Sequence, residues 1–260
     1  MTFLVSILAI LLLGISLRYH WWRFPITYKT PRVLMYHSIS EHCDNRKKNK
    51  WRVKPEDFER QMAWFSRNGW LSCTLSELVE KDNYSAKTFC LTFDDGFEDN
   101  LTQALPILKK YRFKATIYLV TNHKTNSWEA YQDDRFVNLL NNKQIKKMLA
   151  SGQIEFGSHT LSHCNLEKVS EEVAAKEIKQ SKKIVEEKTG LSCKSFAYPY
   201  GKYNETIIQM VKDAGYSSAI TVDRGFYENG SPFVIKRIGI LGTESFFDFY
   251  LKVTRVRNKL

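Results

Sequence analysis

The chain of 260 residues is poor in cysteine, proline and glycine, with five, six and twelve of them. Cys43, Cys73, Cys90, Cys164 and Cys193 are odd in number, widely spaced and never arranged as Cys-x2-Cys, which argues against a disulfide framework and a structural zinc knuckle. Such a set suits a reducing compartment. There is no Gly-x-Ser-x-Gly and no glycine-rich loop ending in Gly-Lys-Ser/Thr, so serine-nucleophile and phosphate-loop schemes have no footing. Acidic charge is also short: 28 Asp plus Glu face 39 Lys plus Arg, a net +11 and a pI near 9.3. The excess sits at the two ends, +6 over residues 18 to 60 and +4 over residues 249 to 260. A middle that is nearly neutral lacks the cation and aromatic interleaving of a nucleic-acid surface, and no nucleic-acid partner is expected.

With 43% hydrophobic residues the chain can bury a large core. Phe3 to Leu17 is uncharged for fifteen positions and is followed by Arg18, Tyr19, His20, Trp21, Trp22 and Arg23. An apolar stretch with an aromatic and basic collar reads as an uncleaved transmembrane anchor over residues 1–18, single-pass in an inner membrane, with a linker over 19–30. A cleaved signal peptide would need a basic segment before the stretch and small residues at its exit. Arg18, Arg23, Lys29 and Arg32 follow the span and only the α-amine precedes it, so the positive-inside count places the soluble part in the cytoplasm, with the periplasm as the alternative. The basic end, residues 244–260, interleaves Phe249, Tyr250, Leu251 and Val253 with four cations; it reads as a helix resting on anionic headgroups or as a solvated last helix.

From Pro31 onward, short apolar runs alternate with segments of helical period. Strands are expected at Val33–Tyr36, Thr88–Phe93, Ala115–Val120, Ile154–Gly157, Ser195–Tyr198, Ser217–Val222 and Phe233–Ile240. Helices are expected over 55–68, 76–81, 98–111 with a kink near Pro106, 142–150, the stretch between Ser170 and Gly190, 204–214, and the C-terminal end. Residues 122–141 read as a polar excursion loop. Strand and helix in regular alternation imply an α/β fold, a parallel sheet with helices outside, built as a barrel or as a doubly wound sheet. In either, chemistry belongs at the C-terminal ends of the strands.

Those ends carry polar clusters. Thr92-Phe93-Asp94-Asp95-Gly96 sets two adjacent carboxylates after an apolar strand, a costly pairing unless a cation or hydrogen bonds hold them; an Asp-Asp-Gly turn is the plainer alternative. Ser158-His159-Thr160-Leu161-Ser162-His163 sets two imidazoles four residues apart, a spacing suited to one metal ion. Joined to a carboxylate they would give a two-histidine, one-carboxylate set with open positions for water and substrate. His37 and Pro199-Tyr200-Gly201 reach the same rim and by themselves read as ordinary loop residues.

Taken in order, Thr92 to Gly96, His159 to His163 and Phe196-Ala197-Tyr198-Pro199-Tyr200-Gly201 resemble the three leading motifs of the polysaccharide deacetylases, the NodB-homology group of carbohydrate esterases. The likeness runs from about Pro31 to Ile240. It implies a distorted (β/α) barrel over 31–243 and a hydrolase using one divalent metal ion, usually zinc. Carried over, Asp94 is the general base, Asp95, His159 and His163 are the metal ligands, and Tyr200 supplies a backbone N–H to the oxyanion site. Two positions depart from the pattern. Ala197 stands where the third motif usually has an Arg that braces the base. Arg237-Ile238-Gly239-Ile240 stands where a late Leu-x-His often supplies the acid. In the poly-N-acetylglucosamine deacetylase branch the acid comes from an N-terminal Tyr-His, which Met35-Tyr36-His37-Ser38 resembles, making His37 the expected acid.

The expected reaction is removal of an N-acetyl group from an amino sugar of a bacterial envelope glycan or its lipid-linked precursor, such as lipopolysaccharide core, with release of acetate. Deformylation or O-deacetylation by the same residues is the rival chemistry. A silent glycan-binding module, for which Ala197 argues, is the rival from another class.

Overall fold

The computed structural model describes residues 2–19, 25–44, 48–81, 84, 87–129, 137–228 and 230–255. Its helices and strands run in the order α1 (Thr2–Tyr19), β1 (Arg32–Tyr36), β2 (Ser38–Ile39), β3 (Arg52–Val53), α2 (Pro55–Arg67), β4 (Leu71–Cys73), α3 (Leu75–Val79), β5 (Thr88–Phe93), α4 (Leu105–Tyr111), β6 (Ala115–Leu119), α5 (Asn142–Leu149), β7 (Ile154–Ser158), α6 (Glu171–Thr189), β8 (Ser195–Ala197), α7 (Glu205–Asp213), β9 (Ser218–Arg224), β10 (Ile235–Gly239) and α8 (Phe246–Thr254). The turns obey local chemistry. Pro55 opens α2, where its missing N–H costs nothing, and the Ser170 hydroxyl accepts from Val173 N–H to start α6. Gly190, at a φ of 73°, ends α6 in the left-handed conformation.

β1 pairs in parallel with β10 on one side and β5 on the other, and this double pairing closes the sheet. The ring then runs β5, β6, β7, β8, β9, β10, every neighbour parallel, which makes seven strands. β4 lies outside the ring. It pairs with the first half of β5 (Leu71↔Thr88 to Cys73↔Cys90), while β6 takes the second half from Leu91 onward. Strands covered on both faces read as apolar runs rather than alternations, and all six residues of β5 are buried. One set, including Val33, Cys90, Tyr118, Ala197, Ile220 and Ile235, forms its own cluster apart from the main core. The main core includes Phe65 of α2 stacked on Phe89 of β5, ring centroids 4.1 Å apart.

The N-terminal end of the barrel is tied down by Arg32. Its buried guanidinium donates to the carbonyls of Val253 (2.7 Å), Thr27, Thr30 and Ile26, and lies over the rings of Trp70 and Phe226. Burial lowers its pKa to about 10, so it stays charged at neutral pH. Ile26 N–H donates to Thr254 O at 3.0 Å, fastening residues 26–30 to the end of α8.

Several expectations need correction. The apolar N-terminal stretch is helical as α1, with Phe3, Leu4 and Ile10 exposed, but among the described residues no helix is long and apolar enough to cross a membrane. Eighteen helical residues rise about 27 Å, short of the roughly 30 Å of a bilayer core. The collar residues 20–24 and the last residues, 256–260, lie outside the described residues. α8 is neither solvated nor free to lie on headgroups: Phe249, Leu251 and Val253 are buried in the fold, and Lys252 pairs with Glu244 at 2.5 Å. The helix expected over 98–111 begins as a π-turn, Asn100–Ala104, before α4.

Candidate active site

Strand register decides which residues meet. β1 and β5 pair as far as Tyr36↔Phe93, and Asp94 N–H donates to Tyr36 O, so His37 and Asp94 leave the barrel side by side. β6 and β7 pair as far as Leu119↔Ser158, and β7 meets β8 at Ser158↔Phe196, which sets His159 beside Ala197. The turns that follow are strained. Among the described residues five that are not glycine have positive φ, and four of them are Asp95 (72°), Thr160 (68°), His163 (57°) and Tyr200 (57°). Left-handed backbone of this kind persists where the surroundings over-determine it, typically at functional sites. Gly96 follows at 74°, and a Cβ there would come within 2.7 Å of Leu119 Cδ2.

The turns converge. Asp95 Oδ1 lies 3.3 Å from His163 Nε2 and 3.6 Å from His159 Nε2, with all three side chains buried. The three candidate ligand atoms lie within 4.8 Å of one another. His159 Nδ1 is 2.7 Å from Ala197 O, which can only accept, so Nδ1 carries the proton and the Nε2 lone pair faces Asp95. Burial, with His163 beside it, pushes the His159 pKa down to about 4, keeping it neutral and able to ligate. Asp95 Oδ1 is buried and has no hydrogen-bond partner. An anionic oxygen left unsatisfied between two imidazole nitrogens fits a divalent cation, and the donor set fits one with open positions. The histidine turn is fixed from α6, where Glu177 accepts from Leu161 N–H (2.8 Å), Ser162 N–H (3.0 Å) and the Ser162 hydroxyl (2.7 Å).

Asp94 sits beside this triad and is not part of it. Arg237 of β10 grips both its oxygens at 2.7 Å, and also donates to Thr92 Oγ1 and Thr221 O. Burial alone would raise the Asp94 carboxyl, but the Arg237 charge and hydrogen bonds, with His159 and His37 further off, hold it well below the usual carboxylate range. A guanidinium thus reaches Asp94 from a strand other than the one that carries Ala197. Ala197 (β8) pairs with Ile220 (β9), and Arg237 lies on β10, so the guanidinium enters two strands further round the ring.

The structure brings His37, Asp94, Asp95, His159, His163 and Tyr200 to one rim. The His37 ring lies against Trp51 (4.6 Å between centroids), and the Tyr200 ring meets the edge of His163 at 4.6 Å. Three neighbours were missed from sequence. Trp128 stacks on His163 at 4.8 Å and 18° from within the supposed excursion loop, Trp51 backs His37, and Glu177 holds the histidine turn. Only the Glu177 position, on the apolar side of a helix, offered any signal.

Comparison with known proteins agrees with this geometry. The polysaccharide deacetylase family model matches residues 81–219. YxkH of Bacillus subtilis (strain 168), assigned to the polysaccharide deacetylases, is 32% identical over 200 residues, covering 74% of this chain and 64% of that protein. The poly-beta-1,6-N-acetyl-D-glucosamine N-deacetylase of Staphylococcus aureus (strain MRSA252) is 29% identical over 72% of this chain and 67% of its own length. Among solved structures, the Streptococcus pyogenes deacetylase PplD in complex with acetate superposes with a TM-score of 0.75 at 29% identity, over 88% of this chain and 99% of that one. The chain thus spans about two thirds of the curated relatives' length and nearly all of a solved deacetylase. By its motifs, its closed seven-stranded barrel and the matched family model, this chain belongs to the polysaccharide deacetylase family.

Proposed function

We propose that this protein is a metal-dependent N-deacetylase that removes the acetyl group from an amino sugar of a bacterial envelope glycan or lipid-linked precursor. The observation that carries the reading is the unsatisfied Asp95 Oδ1 between two histidine Nε2 atoms, beside a second carboxylate that does not share the triad.

Asp95, His159 and His163 would hold the cation, and two imidazoles with one carboxylate suit zinc. The chemistry such a cation would supply there is polarisation of the amide carbonyl and a lowered pKa for water. Asp94, kept ionised by Arg237, accepts a proton from the attacking water as its oxygen bonds to the acetyl carbon. The backbone N–H of Tyr200, a residue in the left-handed conformation, donates to the developing oxyanion. His37, across the strand pair from Asp94, gives a proton to the sugar nitrogen as the C–N bond breaks. Acetate leaves and the amine remains on the glycan.

Attachment to an inner membrane through α1 belongs to the same proposal, supported by a helix whose apolar side chains are exposed on every side. Fractionation of cells making the whole chain, against a chain starting after Tyr19, tests it. Because α1 is too short to span, the positive-inside count of Arg18, Arg23, Lys29 and Arg32 assigns no side, and protease protection of the whole chain reads whether the barrel faces the cytoplasm or the periplasm.

The activity is tested with purified, metal-loaded protein and β-1,6-linked N-acetylglucosamine oligomers, acetylated glycolipids, and N-formyl and O-acetyl analogues. Acetate release from the N-acetyl substrates, lost in Asp94→Ala, is expected. Release of formate or of O-linked acetate alone would turn the reading to the rival chemistries. No turnover together with no bound metal would turn it to a binding module.

A further inference from the structure

The segment that carries His37 is held by a pair of buried polar residues at the start of the helical turn that follows Asp94 and Asp95. Asp99 is 9% exposed and Asn100 is fully buried. Asp99 Oδ2 accepts from the Ser38 hydroxyl at 2.5 Å, and Oδ1 accepts from Ile39 N–H at 3.0 Å. Asn100 Nδ2 donates to the His37 carbonyl at 2.9 Å and to Asp99 Oδ1 at 3.0 Å. Residues 37, 38 and 39 are therefore each bonded to one dipeptide, which lies only five residues beyond the base.

Two details argue that this pair does more than fill space. Asn100 Oδ1 is buried without a hydrogen-bond partner, a penalty that an apolar side chain would avoid, so the gain must come through Nδ2. Asn100 also begins the π-turn Asn100–Ala104, a local irregularity that recurs at functional sites. The other side of His37 is fixed through β2 and β3: Ser38 pairs with Arg52, whose neighbour Trp51 lies against the imidazole.

We propose that Asp99 and Asn100 are positioning residues that lock His37 at a fixed place relative to Asp94, so that base and acid ride on one rigid unit. This rests on the reading of His37 as the acid. Neither residue touches the substrate; both act through the His37 backbone, where misplacement by about 1 Å can cost on the order of a hundredfold in rate.

The test is a double-mutant cycle on kcat, using acetate release from a β-1,6-linked N-acetylglucosamine oligomer by metal-loaded protein. Asn100→Ala is expected to lower kcat by about 10-fold to 100-fold, with KM and metal content unchanged. In a His37→Ala background the same substitution should change kcat less than about twofold, because the group it positions is gone. Asp99→Asn, which keeps the side-chain shape, should show the same pattern and serves if Asn100→Ala fails to fold. Equal fractional losses in the two backgrounds would overturn the clamp while leaving His37 as the acid. Full activity in His37→Ala alone would remove the acid assignment itself, and the clamp with it.

Discussion

The Arg237 guanidinium and the Asp94 carboxylate face each other through two parallel N–H···O contacts of 2.7 Å, both groups buried and 143 residues apart in the chain. Bidentate geometry of this kind is the strongest form of ion pair, and it is wholly desolvated. It gives a carboxylate that remains ionised and aimed although it is buried.

Replacing Arg237 with Ala should leave Asp94 buried without a counter-charge. Stability is expected to fall by about 3–5 kcal/mol, and the acid limb of the pH–rate profile should move to higher pH as the Asp94 pKa rises. Arg237→Lys should keep the charge, lose the fork and recover only part of the rate. A profile whose acid limb stays in place would separate Arg237 from Asp94.

Metal removal should abolish activity and lower the melting temperature, and added divalent ion should restore both, because ligand bound only to the folded state stabilises it. Asp95→Asn, His159→Ala and His163→Ala should each reduce bound metal, measured by elemental analysis, whereas Asp94→Asn should lose rate and keep the metal. Equal metal content in all four variants would refute the ligand assignment.

The metal-free protein should weaken as pH falls from about 6.5 to about 4. His159 stays neutral in the fold down to about 4, while the unfolded chain takes up its proton near 6.5, so the unfolded state binds more protons across that window. Denaturant midpoints measured in this range should drop with pH, and His159→Gln should flatten the drop. Asp94, depressed by Arg237, should lose its contribution only at lower pH, below the usual carboxylate range.

Glu177 touches neither metal nor substrate, yet three of its hydrogen bonds hold the turn between the two histidines. Glu177→Gln should weaken metal affinity by about 10-fold or more, read by competition with a chelating dye, with Asp94 titration unaffected.

Arg32 offers the contrast. Arg32→Met should destabilise the fold by several kcal/mol, on the order of the cost of leaving buried carbonyls unpaired, while activity per folded molecule is retained. A thermal melt beside a turnover assay checks it.

Much of this was readable from the chain because strand ends in a parallel barrel are local in sequence. Asp94-Asp95 and His159-x3-His163 each follow an apolar run directly, so type and spacing alone nominate them. Arg237 was not readable as the brace, because its meeting with Asp94 depends on barrel closure through β1 and on the register shift between β9 and β10. The same holds for β4, a three-residue strand whose pairing is decided by the half of β5 that β6 leaves open. α8 misled through its composition: its cations invite a solvent or headgroup reading, yet Lys252 is drawn inward by Glu244 and by Gly239 O while Phe249 and Val253 fill the core. Trp128 sat in a polar stretch with no periodicity to mark it.

The docking of residues 26–30 against Arg32 and the end of α8 has a mechanical consequence. Any pull transmitted from α1 reaches the barrel at the starts of its strands, the pole opposite the reacting groups. Strain entering there meets Arg32 and the end of α8 first, at the far end of the strands from the turns that carry Asp95, His159 and His163.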